Sequence, residues 1–150
     1  MNREALASST TRSNNASMNE QQQIKAFLAG KRFVVVGASA NREKYGNKVL
    51  RVYQQNKLDV VPVNPGGGEI EGLAAYTDLP SVPGAIDGVS IITPPAVTEK
   101  VVAQAVSLGI KHIWMQPGAE NRQAIELAEQ AGANVIAGGP CVLVALRYHE

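Results

Sequence analysis

The chain has 150 residues, 45% of them hydrophobic and 18% charged, with a formal net charge of +1. That composition describes one soluble globular domain with a sizeable core, and it makes no electrostatic case for nucleic acid. One Trp, two Phe and four Tyr leave no platform for base stacking either. The single cysteine, Cys141, excludes an internal disulfide and suits a reducing, cytoplasmic compartment. No apolar run approaches the ~20 residues of a membrane span, and no secretory hydrophobic segment opens the chain.

Residues 1–18 are rich in Ser, Thr and Asn. They cannot bury enough apolar surface to offset their ordering entropy and read as a disordered tail ahead of a domain at 19–150. Asn19 and Gln22 resemble a capping box, and Ile24, Phe27 and Leu28 form an apolar stripe that Gly30 stops. The pattern predicts a short helix over 20–29, packed on the sheet as a flap. A strand over 33–37 follows. A helical pattern then runs from about Tyr45 to Asn56, carried by Val49, Val52 and Tyr53. A second strand at 58–63 ends in the open loop Asn64-Pro65-Gly66-Gly67-Gly68.

Residues 69–72 read as a polar turn, 73–76 as a short edge strand, and the proline-rich 79–84 as irregular. Strands are expected at 88–93, 110–116 and 134–137. Between them lie helices marked by Val97, Val101, Ala105 and Leu108, then by Ala124, Leu127, Ala128 and Ala131. After Gly138-Gly139-Pro140-Cys141 comes a short apolar tail. The strands show no polar alternation, so both of their faces should be covered. Alternating strands and helices with right-handed crossovers predict a Rossmann-like, doubly wound parallel α/β sheet, one domain with helices on both faces.

Ligands of such sheets bind beyond the carboxyl ends of the strands, where strand order switches. Here those ends read Gly37-Ala38-Ser39, Asn64-Pro65, Thr93-Pro94-Pro95, Gln116-Pro117-Gly118 and Gly138-Gly139. The turn after Val36 delivers a buried strand to a helix N-terminus, which favours a phosphate. The dinucleotide fingerprint is incomplete, because only the first glycine of G-x-G-x-x-G stands in Gly37–Arg42. Asn64 occupies the place of the acid that would bond a ribose 2′-hydroxyl. NAD and NADP are therefore disfavoured. Arg42 and Lys44 stand close enough in sequence to bring charge to a phosphate.

Five motifs, in order, resemble the small CoA-binding domain proteins. They are Val34–Ser39, Tyr45-Gly46-Asn47, Val61–Pro65 with Glu69–Gly72, Thr93-Pro94-Pro95, and Trp114–Ala119. These proteins are similar to the N-terminal domain of the succinyl-CoA synthetase alpha subunit, and the resemblance runs from about Phe33 to Val144. It implies coenzyme A, free or acylated, as the ligand. Backbone N–H groups of Gly37, Ala38 and Ser39 and the Ser39 hydroxyl would hold phosphate oxygens. Tyr45, Asn47 and Val63 would belong to the same contact set, and Asn64 and Pro65 would flank the adenosine. Thr93, Pro94 and Pro95 would line the path across the switch point, and Gln116 and Pro117 the far side. Pro140 stands where relatives often carry an arginine before the cysteine, and Gly66-Gly67-Gly68 replaces a loop that carries a lysine in the synthetase. Both changes remove a cation.

Each of these motifs has a plainer alternative. Asn64-Pro65 is also ordinary turn chemistry, and Pro94-Pro95 also suits a helix start. Cys141 reads either as a small buried residue or as a thiol near the CoA thiol. His112 and His149 do not make a metal site. There are no paired carboxylates and no nucleophile elbow. The sequence therefore describes a CoA-binding module without catalytic apparatus of its own. The alternatives are an NAD(P)-dependent oxidoreductase, or a fragment of one, and a partner-binding subunit with a vestigial pocket. The sheet edge and outer helices are available for homodimerisation.

Overall fold

The computed structural model describes residues 18–150. The expected tail lies outside this range except for Met18. Helix α1 (Glu20–Leu28) starts on the capping box: Asn19 Oδ1 accepts from the Gln22 N–H at 2.8 Å, and Gln22 Oε1 accepts from the Asn19 N–H at 2.9 Å. Strand β1 (Arg32–Val36) leads to α2 (Tyr45–Gln55) and β2 (Asp59–Val63). Two short strands follow, β3 (Glu69–Ile70) and β4 (Leu73–Ala74). The second half comprises β5 (Gly88–Ile91), α3 (Pro95–Ser107), β6 (His112–Met115), α4 (Arg122–Gln130), β7 (Asn134–Ile136) and α5 (Val142–Ala145).

Five strands pair in parallel in the order β2-β1-β5-β6-β7. From β1 the chain moves one way to β2, then crosses back to build the other half. The switch in strand order therefore lies between β1 and β5. Successive residues of β1 face opposite sides. Phe33 and Val35 join Phe27, Val49, Tyr53, Trp114, Ile136 and Val142 under α1, α2 and α5. Val34 and Val36 join Val89, Ile91, Val101, Ala105, Ile113 and Ala128 under α3 and α4. Both faces are covered, which is why the strands carry no polar alternation. Helix α1 lies on the sheet through Phe27, whose ring centroid is 5.4 Å from that of Phe33 and 5.3 Å from that of Trp114. Deep in this layer Tyr53 Oη meets Ser90 Oγ at 2.6 Å. Burial pushes the Tyr53 phenol above its ordinary value.

The small elements depart from the sequence reading. The expected turn at 69–72 is half of an antiparallel hairpin, in which β3 and β4 meet across Glu71 and Gly72, at φ 49° and 81°. Two positive φ values in a two-residue loop match the twist of the flanking strands. The 73–76 segment pairs with β3 rather than forming a full edge strand, although Tyr76 makes an isolated parallel bridge to Val63. Within 79–84, Leu79–Ser81 forms a 3₁₀ turn capped by Asp78. The apolar tail after Cys141 contains α5. All of these pieces are too short for hydrophobic periodicity to register.

Candidate functional site

Every strand end singled out in the sequence lies on the carboxyl edge of this sheet, and three of them touch. Gly37 has φ 100°, and a Cβ there would run into the Ile92 carbonyl. β1 and the exit of β5 thus meet closely enough that a side chain would hold them apart. Gly46, in the first turn of α2, is packed against the other side of the same turn, where a Cβ would run into the Gly37 carbonyl. It does the work of the third glycine of a dinucleotide fingerprint, close packing of helix on strand, from outside the expected spacing. Asn64 Nδ2 donates to the Ala38 carbonyl at 2.7 Å, which fastens the loop after β2 to the turn after β1. Its Oδ1 accepts from Gly66 N–H at 2.7 Å, so Asn64 also makes the turn its neighbours suggested.

The amides of the turn divide into two groups. Gly37 and Ala38 N–H both donate to the Val63 carbonyl, at 3.1 and 3.3 Å. Their donors, expected for a phosphate, are thus spent inside the fold, and Val63 acts through its backbone. Among the described residues, the Ser39 and Ala40 amides and the first amides of α2, Tyr45 and Gly46, have no acceptor. Ser39 Oγ accepts from Asn41 N–H at 3.1 Å, which leaves its own proton to donate. What remains on offer is a short arc of donors at the positive end of a helix.

The loop carrying this arc is held from behind by a buried polar network. Asn47, fully buried, donates through Nδ2 to the Ser39 carbonyl and to Glu71 Oε2, both at 2.9 Å. Its Oδ1 accepts from Arg51 Nε at 2.6 Å, and Arg51 also bonds the Arg42 carbonyl at 3.0 Å. Arg42 reaches Glu71 at 3.2 Å and is therefore paired, whereas Lys44 is exposed and makes no ion pair among the described residues. Asn47 thus shapes the arc rather than lining it. Glu71 was missed by sequence reasoning. Its only signal was a carboxylate beside a glycine in the Glu69–Gly72 motif.

The remaining strand ends complete the edge. Thr93 Oγ1 meets the buried Thr98 Oγ1 at 2.7 Å, closing the first turn of α3 that Pro94 and Pro95 begin. Pro65, Pro94, Pro95 and Pro117 are exposed along the rim. Gln116 is fully buried, and its Oε1 accepts from Val142 N–H at 2.9 Å and from Tyr45 Oη at 3.2 Å. Tyr45 Oη also lies 2.8 Å from Cys141 Sγ. Burial first, then the contact with Cys141, pushes the Tyr45 phenol well above its ordinary value, so it stays protonated. Gln116 Nε2 is buried without any partner. A buried donor left unbonded is rare in folded proteins.

This is a Rossmann-like α/β protein whose unbonded amides at Ser39 and Ala40 lie beside the β1/β5 switch point. The chain belongs to the CoA binding domain family, which matches residues 31–147. The uncharacterized protein YneT of Bacillus subtilis is 28% identical over 115 residues, covering 76% of this chain and 85% of that one. The alpha subunit of an ADP-forming acetate–CoA ligase II of Pyrococcus furiosus is 27% identical over 129 residues; the match covers 77% of this chain but only 28% of the ligase subunit. Among solved structures, a hypothetical protein of Pyrococcus horikoshii superposes with a TM-score of 0.79 at 29% identity, covering 85% of this chain and 89% of its own. A dinucleotide-forming acetyl-coenzyme A synthetase 1 from Ca. Korarchaeum cryptofilum, in complex with phosphate and ADP, superposes with a TM-score of 0.63 at 26% identity, covering 71% of this chain and 25% of the synthetase.

Proposed function

We propose that this chain is a CoA-binding module that takes CoA or an acyl-CoA along the carboxyl edge of its sheet and carries no catalytic apparatus of its own. The observation that carries the reading is the donor arc, Ser39, Ala40, Tyr45 and Gly46, set at a helix N-terminus on the switch point. Such an arc suits the diphosphate of CoA, with Lys44 free to add charge. The phosphates engage Ser39 and Ala40 in this reading, while the Gly37 and Ala38 amides brace the turn. Asn64 and Pro65 flank the adenosine, Thr93, Pro94 and Pro95 line the path over β5, and Gln116 and Pro117 bound the far side. The Asn64 position argues against NAD or NADP, since an amide there accepts and donates where a ribose diol needs a carboxylate.

The test is titration calorimetry and thermal melting of the full chain with CoA, acetyl-CoA and NADPH. Binding to the folded state alone raises Tm with ligand concentration. A rise with both CoA species and none with NADPH is expected. Flat melting curves and no heat at millimolar CoA would overturn the reading in favour of a partner-binding subunit.

A further inference from the structure

Cys141 is the only cysteine of the chain, and it is half-buried. The structure pins it from both sides. Trp114 Nε1 donates to the Pro140 carbonyl at 3.0 Å, and the Val142 N–H is held by Gln116 Oε1 at 2.9 Å. Tyr45 Oη contacts both Sγ and Gln116 Oε1, yet it has one proton and two acceptors. With a thiol at Cys141, the S–H can donate to the phenol and the phenol to Gln116. With a thiolate, the phenol proton turns to sulfur. The hydroxyl is therefore a ready partner for the ionised form, which is the nucleophilic one.

Two further observations make this a site rather than an isolated thiol. The Gln116 amide sits between the Tyr45 hydroxyl and the Val142 amide, and its Nε2, fully buried, has no acceptor. A donor in that state is open to an acceptor that the fold does not supply, an ordered water or a ligand oxygen. The pantetheine arm of CoA carries two amide carbonyls and ends in a thiol. Tyr45 also belongs to both places at once. Its backbone is the first residue of α2, in the donor arc, and its hydroxyl touches the sulfur.

Building on the CoA-binding reading, we propose that Cys141 exchanges with the disulfide of CoA and holds one CoA as a mixed disulfide, with Tyr45 as a positioning residue. Cys141 gives its thiol proton to solvent, and the thiolate attacks one sulfur of the CoA disulfide. The Cys141–sulfur bond forms as the disulfide of the reagent breaks. The second CoA leaves as a thiolate and takes a proton from water. Cys141 is oxidised and the departing CoA sulfur is reduced, so one disulfide is consumed and one is made.

The full chain, reduced and freed of reductant, is treated with CoA disulfide, glutathione disulfide or pantethine, and intact mass is followed over time. One adduct, reversed by dithiothreitol and absent in Cys141→Ser, is expected. It forms about tenfold faster with CoA disulfide than with the other two, because the docked nucleotide raises the local concentration of the reacting sulfur. Excess desulfo-CoA, which has no thiol, slows the reaction. In Tyr45→Phe the pH profile of the rate moves to higher pH, a change that loss of packing alone does not produce.

Equal rates with all three disulfides and no protection by desulfo-CoA overturn the proposal. If desulfo-CoA still raises Tm in that case, the CoA-binding reading stands without it. If desulfo-CoA neither protects nor raises Tm, both fall.

Discussion

The two edges of the sheet use polar groups in opposite ways. At the amino edge they are turned on one another. The Asp87 carboxylate accepts the Lys31 and Arg32 amides at 2.8 and 2.9 Å, which holds its pKa below the usual carboxylate value. Asn134 Nδ2 reaches the Gln23 carbonyl at 2.9 Å and His112 Nδ1 at 3.1 Å, while Gln23 Nε2 returns a bond to the Val135 carbonyl at 2.9 Å. The buried atom left over there, Asn134 Oδ1, is an acceptor, the commoner and cheaper kind of vacancy. At the carboxyl edge the leftovers are donors: the Ser39 and Ala40 amides and Gln116 Nε2. One edge closes its polar groups on one another; the other leaves N–H groups without an acceptor among the described residues. The same backbone topology produces both, because parallel strands bring all their carboxyl ends to one side.

Substitutions separate these roles, and the largest effect is expected at Gly37. Gly37→Val places a branched side chain at φ 100° against the Ile92 carbonyl. It should cost about 3 kcal/mol or more in urea unfolding and abolish CoA binding. Asn47→Ala removes the buried amide that ties Ser39, Glu71 and Arg51 together. A loss of about 2 kcal/mol is expected from the partners left unpaired, with weaker CoA binding in calorimetry because the arc loosens. Asp87→Ala, at the other edge, should lower stability by about 1 kcal/mol, the low end for a solvent-reached pair of bonds, and leave CoA affinity unchanged. A drop in affinity there would break the division between the edges.

Ser39→Ala should do the reverse. Affinity falls by about 1 kcal/mol, roughly fivefold, while the urea midpoint barely moves. An unchanged affinity would remove the hydroxyl from the site. The smallest effect is a pH trend at the amino edge. Burial lowers the His112 pKa from 6.5, with Asp87 opposing. The unfolded chain then binds the proton more readily than the folded one, so this group's contribution is present above pH 6.5 and is lost as pH falls through that value toward the folded pKa. His112→Asn should flatten the decline in thermal stability over that window, a slope that Ser39→Ala leaves unaltered.

Much of this was legible in the chain. The apolar runs, helix stripes and stop glycines carry the α/β class, the parallel sheet and the two-sided packing, because strands buried on both faces read as unbroken apolar runs and helices buried on one face leave a periodic stripe. The capping box at Asn19 and Gln22 is local and reads directly; the Asn121 cap of α4 is as local, but only the structure brought it out. The hairpin at Glu71-Gly72 and helix α5 were not read, being shorter than any period. Nor was the role of Glu71, whose partners Arg42 and Asn47 lie more than twenty positions away in the chain.

What the order of residues determined alone is the set of five parallel strands and the chemistry of their ends, since both rest on neighbours in sequence. What only the tertiary structure decided is which donors remain free. Gly37 and Ala38 lose theirs to Val63, Ser39 and Ala40 keep theirs, and Tyr45, Gln116 and Cys141 converge from three separate elements. Hydrogen bonds are allotted by proximity in space, and proximity across a sheet is not written in any local pattern.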